Sequence, residues 1–209
     1  MLKQYSLNMK NFKKAFDEMI FSPSGFRKIF AKSKNEDSTE NEINNEDKAL
    51  IALIIFTISN YFKNESKPYI GLGLDSRPTG NIIAEITIKI LITNKEKIGF
   101  FGILPITEIL AYTKNSKDSK GFIYISASHN PIGYNGIKIG LNDGGVLNSA
   151  KANEIIQQIK NNSQNEKLIN HLINTINKFD EDKSNLEHYN KIIKLERKIK
   201  TNLMKHINH

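Results

Sequence analysis

Apolar residues recur with two different periods along the first three quarters of the chain. Residues 48–62 are apolar-rich and long enough for a helix, with Ala49, Leu50, Ala52, Leu53, Ile54, Phe56 and Ile58. Residues 81–92 place Ile82, Ile83, Ile86 and Ile90 at helical spacing. Residues 106–113 and 149–160 read as further helices, the last with Ser149 as its N-cap. Between them lie short apolar runs bounded by turn residues, at 69–74, 97–101, 122–125 and 136–141, and these predict strands. Alternating strands and helices predict an α/β fold, a three-layer α/β/α domain with a mixed, mostly parallel sheet. The gap between Ile125 and Gly136 is too short for a helical crossover, so the fourth strand is expected to run antiparallel to the third.

All five Pro and all twelve Gly precede Val146. Because these residues punctuate turns, the remainder is expected to be a helical C-terminal tail, jointed near residues 161–165 and 180–185. The chain is therefore divided into a domain at 1–160 and a helical linker or tail at 161–209. Residues 35–47 are polar and low in complexity and read as a surface insertion loop.

Composition narrows the function classes. The 209 residues carry a formal net charge of +8, but only Arg27, Arg77 and Arg197 are Arg. The Lys residues are scattered among Asn, Ile and acidic neighbours, which is how a solvated surface reads. A nucleic-acid partner would call for a clustered basic face with interleaved aromatics, so none is expected. The absence of Cys excludes disulfides, Cys-based zinc sites and thiol nucleophiles. No apolar run approaches the roughly 18 residues of a bilayer span, so no membrane partner is expected. Residues 1–14 lack the continuous apolar stretch of a signal peptide, and the chain reads as soluble and cytoplasmic. His171, His188, His206 and His209 show no metal-ligand spacing.

Three turn-rich segments carry candidate chemistry. Ser126-Ala127-Ser128-His129-Asn130-Pro131 directly follows a predicted strand, and Asn135-Gly136-Ile137-Lys138 comes shortly after. A Ser on a tight turn can carry a phosphoryl group, while a neighbouring His and Lys handle the proton and the phosphoryl charge. Gly73-Leu74-Asp75-Ser76-Arg77 ends another strand, where Asp75 can hold Arg77 in place. The third, Ser24-Gly25-Phe26-Arg27, offers a guanidinium whose fork of donors suits phosphate oxygens. Structural roles remain open for all three: a polar loop, a supporting salt bridge and a surface Arg beside a helix.

The first segment resembles the active-site loop of the α-D-phosphohexomutases, the phosphoglucomutase/phosphomannomutase family. Their signature is Thr-Ala-Ser-His-Asn-Pro followed by Asn-Gly-x-Lys, and only Ser126 departs from it, with the hydroxyl kept. The other segments match the family's Gly-x-Asp-x-Arg turn and, less closely, its Gly-Thr-Ser-Gly-x-Arg segment, where Ser22 and Pro23 replace Gly and Thr. The resemblance covers roughly residues 21–160 and implies the family's first domain. It implies Ser128 as the phosphorylated residue, with His129 and Lys138 assisting proton transfer and balancing charge. It further implies Arg27, Ser24 and Asn130 on phosphate, Asp75 and Arg77 as support, and a hexose phosphate substrate moved between its 1- and 6-phosphates. Mg²⁺ would be held in part by the Ser128 phosphate. The family's Asp-x-Asp-x-Asp-Arg metal loop, its Gly-Glu-x-Ser-Gly sugar loop and its Arg-x-Ser-Gly-Thr phosphate loop are not found in the sequence. Two expectations follow: the first domain of a mutase, completed by domains II–IV in trans or beyond a truncation, or an inactive stand-alone phosphosugar-binding domain.

Overall fold

The computed structural model describes residues 7–207, with side chains through Glu196. His209 and the side chains of Arg197 and His206 thus lie outside the described residues, as do residues 1–6 of the opening segment. Seven α-helices and six strands are described: α1 (Met9–Asp17), β1 (Ile20–Ser22), β2 (Gly25–Ile29), α2 (Asn45–Phe62), β3 (Tyr69–Leu74), α3 (Gly80–Thr93), β4 (Lys97–Ile103), α4 (Ile106–Asn115), β5 (Ser119–Ile125), β6 (Tyr134–Leu141), α5 (Ser149–Asn162), α6 (Glu166–Asn177) and α7 (Lys183–Ile207). The strands form one sheet in the order β1-β2-β6-β5-β3-β4.

The sheet is mixed, and β6 pairs antiparallel with β5, as the short gap requires. Parallel pairing is confined to β3 with β4 and β3 with β5. Beside β6 a β1–β2 hairpin, not legible in the sequence, adds two antiparallel pairings to the mixed sheet. The alternation of β2 is hidden by Lys28, which shares the core-facing side with Phe26 and is only 2% exposed. Its ammonium is neutralised by Asp47 at 2.8 Å and Glu18 at 3.0 Å. Asp47, assigned from sequence to the insertion loop, is instead fully buried within the first turn of α2. There Lys28 and Lys34 both pair with it, which offsets the cost of its burial.

Two unequal helical layers cover the sheet. α2 is apolar on every side, with Ala49 through Ile55 all fully buried, so it forms the middle of the thicker layer. It packs against α1, α3, α5 and α6. Ile70, Leu72, Leu74, Ile123, Ile125, Ile137 and Ile139 face this layer from the sheet. The helices after residue 160 extend it: Ile169, Leu172, Ile173 and Ile176 of α6 and Ile192 of α7 join the same core. α7 also lies along the edge strand β4. Among the described residues, the opposite face is covered by α4 alone, through Ile109 on Phe122 and Tyr124. Here Gly73 gives room for α4's entry, since a Cβ would sit 2.4 Å from Leu104 Cδ2. Gly73 therefore serves layer packing. Asn148, one residue before the expected Ser149, caps α5 by accepting from the Lys151 N–H at 3.0 Å.

Candidate active site

β3 and β5 run parallel, and their carboxyl ends lie side by side, where α/β sheets place ligands. The Ser loop leaves the end of β5 and returns as β6 at Tyr134. Ser126 is buried, and its Oγ accepts from the Ser128 N–H at 3.0 Å, a local side-chain turn that bends the chain immediately. The hydroxyl kept at position 126 thus has a mechanical task. Ser128 itself adopts φ 57°, a left-handed conformation that costs a non-Gly residue about 1–2 kcal/mol. Its side chain is exposed to solvent at the tip.

Strand alternation supplies the partners. Ile137 and Ile139 enter the core, so Lys138 between them stands on the opposite face, beside its register partner Tyr124. Arg27 pairs with Gly136, two residues before Lys138, and shares that face. Gly136 allows this close approach: a Cβ there would lie 2.5 Å from Phe26 O and 2.9 Å from Ser126 O. Lys138 Nζ lies 2.6 Å from Ser128 Oγ. Burial lowers the Lys138 pKa; Asp75 opposes that shift, and the positive charge of Arg27 adds to it. A larger fraction of the amine is therefore free to accept the Ser128 proton than for a lysine in water.

A cleft of about 210 Å³ gathers Ser24, Arg27, Ser128, His129, Asn130 and Lys138, with Ser126 at its floor. Six residues singled out from sequence, drawn from two distant segments, therefore meet at one place. His129 is exposed and makes no hydrogen bond or ion pair to the described residues. Ser24 is exposed on the β1–β2 turn, its Oγ 3.0 Å from Ser22 Oγ. Arg27 is on a strand, not beside a helix, and its Nε is buried without a hydrogen-bond partner. Two cations beside a nucleophilic hydroxyl, one with a donor to spare, make a site suited to a phosphoryl group.

Asp75 and Arg77 stand behind the loop. Arg77 Nε donates to Asp75 Oδ2 at 3.3 Å, and its terminal nitrogens reach carbonyls of the Ser loop. One further pair joins Asn135, which opens the Asn-Gly-x-Lys segment, to Thr79, which carried no sequence signal beyond its polarity. Buried Asn135 donates to buried Thr79 Oγ1 at 3.0 Å and ties the start of β6 to the start of α3. No group of three His, Cys, Asp or Glu that could hold a metal ion occurs among the described residues. The donors near Ser128 thus do not make a magnesium site by themselves. Among the described residues, no helix is long and apolar enough to cross a membrane.

Comparison with known proteins agrees with this geometry. Residues 31–166 match the family model for phosphoglucomutase/phosphomannomutase, alpha/beta/alpha domain I. The phosphoglucosamine mutase of Methanococcus maripaludis is 31% identical over 158 residues, 76% of this chain and 33% of that protein. The phosphoglucomutase of Staphylococcus haemolyticus is 33% identical over 105 residues, 50% of this chain and 19% of that protein. The chain spans no more than about a third of the length of these relatives. A phosphomannomutase-like protein of Thermus thermophilus shares the fold at a TM-score of 0.55 and 20% identity, covering 68% of this chain and 30% of that one. With its serine turn, its β5–β6 pairing and helices α2 to α5 in the matched stretch, the chain belongs to the phosphoglucomutase/phosphomannomutase family, as that family's α/β/α domain I.

Proposed function

We propose that this chain is the phosphoserine-carrying part of a hexose phosphate mutase, with Ser128 as the residue that accepts and returns the phosphoryl group. The carrying observation is the 2.6 Å contact between Ser128 Oγ and an amine whose pKa is lowered. In the forward step the Oγ–P bond forms as the bond from phosphorus to the sugar oxygen breaks. The Ser128 proton passes to Lys138 Nζ, and the departing sugar oxygen takes a proton from the acid side of the same site, with exposed His129 as donor. Arg27 and Ser24 hold the phosphoryl oxygens, and Asn130 fixes the far wall of the cleft. Phosphoryl transfer depends mainly on positioning and charge stabilisation, and the chain supplies both for one of the two reacting partners. In such a mutase the sugar and the remaining ligands of Mg²⁺ would be held by its domains II–IV. The cytoplasm is the expected compartment.

The test is incubation of the full chain with glucose 1,6-bisphosphate and Mg²⁺, followed by intact mass and peptide mapping. The expected result is an adduct of about 80 Da on Ser128, absent from Ser128→Ala. Binding of the bisphosphate with no adduct would favour the stand-alone binding domain, and neither binding nor adduct refutes both readings.

A further inference from the structure

An Arg guanidinium has five N–H donors, and in Arg77 all five are engaged. Nε is held by Asp75 Oδ2. One terminal nitrogen donates to Pro131 O at 2.5 Å and Tyr134 O at 2.9 Å. The other donates to Ser128 O at 2.8 Å and Asn130 O at 2.6 Å. The backbone N–H of Arg77 is itself fixed on Asp75 Oδ1 at 3.1 Å. The side chain is only 9% exposed. No donor is left for a phosphate oxygen, so Arg77 differs in kind from Arg27, whose Nε has no partner.

The carbonyls matter because three of them, those of Ser128, Asn130 and Pro131, belong to irregular backbone, and the fourth, that of Tyr134, marks where the loop enters β6. Between Ser128 and Tyr134 the chain has no ladder of its own, and unpaired carbonyls there must find donors. The loop's other backbone ties are Ser128 N–H on Ser126 Oγ, Asn130 N–H on Ala127 O, Tyr134 N–H on Pro131 O, Gly133 N–H on Glu36 O, and Gly133 O accepting from Phe30 and Ala31; of these, only the Ser126 bond is made by a backbone atom of Ser128. Ser128 O is one of the four bonded carbonyls, and Ser128 is the residue held at positive φ. The bond therefore bears directly on the peptide that orients Oγ.

We propose that Arg77 is the positioning residue of this site: by clamping four carbonyls of the Ser loop, its guanidinium sets the left-handed turn at Ser128 and with it the Oγ–Lys138 distance. The reaction it serves rests on the function proposed above, whereas the clamp does not. Lysine cannot substitute. It carries three donors on one point charge and cannot span carbonyls spread from Ser128 to Tyr134.

The experiment compares the full chain with Arg77→Lys and Arg77→Gln in two readouts. The first is the rate of phosphoryl uptake by Ser128 from glucose 1,6-bisphosphate, as a function of bisphosphate concentration. The second is amide hydrogen exchange across the loop and across the sheet. Both variants are expected to melt cooperatively and to keep sheet protection. Exchange in residues 128–134 should rise at least about tenfold. Maximal uptake should fall on the order of 100-fold, the effect of a nucleophile displaced by about 1 Å, with little change in half-saturating concentration. Millimolar guanidinium should restore part of the rate in Arg77→Ala. Unchanged loop exchange in both variants overturns the proposal. So does a loss confined to half-saturation, which would make Arg77 a ligand grip, and so does collapse of the whole fold in both variants, which would make it a general structural residue. If the unsubstituted chain takes up no phosphoryl group, the proposed function fails, and loop exchange still decides the role of Arg77.

Discussion

Gly136→Ala places one methyl group where the fold brings three strands together. The new Cβ would lie 2.5 Å from Phe26 O and 2.9 Å from Ser126 O, whereas ordinary contact begins at about 3.4 Å. Neither obstacle can rotate away, because both are backbone and both belong to neighbouring segments. A displacement of nearly 1 Å must open either the β2–β6 pairing, which carries Arg27, or the exit of β5, which carries Ser126. Overpacking of this kind costs about 2–3 kcal/mol. At about 2–4 °C per kcal/mol for a chain of this size, melting should fall by roughly 5–10 °C. Phosphoryl uptake, measured well below both melting temperatures, should fall by about 100-fold, because the shift separates the cation from the nucleophile. Gly99→Ala is the control: its Cβ meets only the Phe101 ring, at 3.5 and 3.7 Å. That variant should melt within about 2 °C of the parent chain. A Gly136→Ala variant that melts and reacts like the Gly99→Ala control would refute the argument that this glycine sets the distance between β2 and the Ser turn.

Other consequences follow from single contacts. Burial lowers the Lys138 pKa, so between that lowered value and the ordinary lysine value the unfolded chain binds more protons. Stability should therefore rise with pH across that window, and Lys138→Met should flatten the rise in urea titrations. Arg27→Gln removes a cation that opposes protonation of Lys138, so amine labelling of Lys138 should require higher pH; an unchanged midpoint would contradict the shared face. Ser126→Ala deletes the acceptor for the Ser128 N–H and should slow phosphoryl uptake about tenfold, whereas Ser126→Thr should react normally. Lys28→Met leaves fully buried Asp47 with Lys34 alone and should destabilise the chain by about 3–5 kcal/mol in urea unfolding; a loss below about 1 kcal/mol would show that the pair is dispensable.

The sequence by itself determined the layered α/β architecture, because periods of 2 and 3.6 are local properties of a chain with one buried face. It also exposed Ser128, His129 and Lys138, since their spacing is short and their motif long. The β1–β2 hairpin was illegible: β1 has three residues, and β2 sends a Lys to the core, which only the distant Asp47 makes tolerable. Arg77 was legible as a partner of Asp75 but not as the clamp of the Ser loop, because its carbonyl acceptors lie more than 50 residues away and carry no side-chain signature. Only the tertiary structure decided which Arg remains free for phosphate and which is spent on backbone, since that distinction rests on which donors the packed neighbours already satisfy.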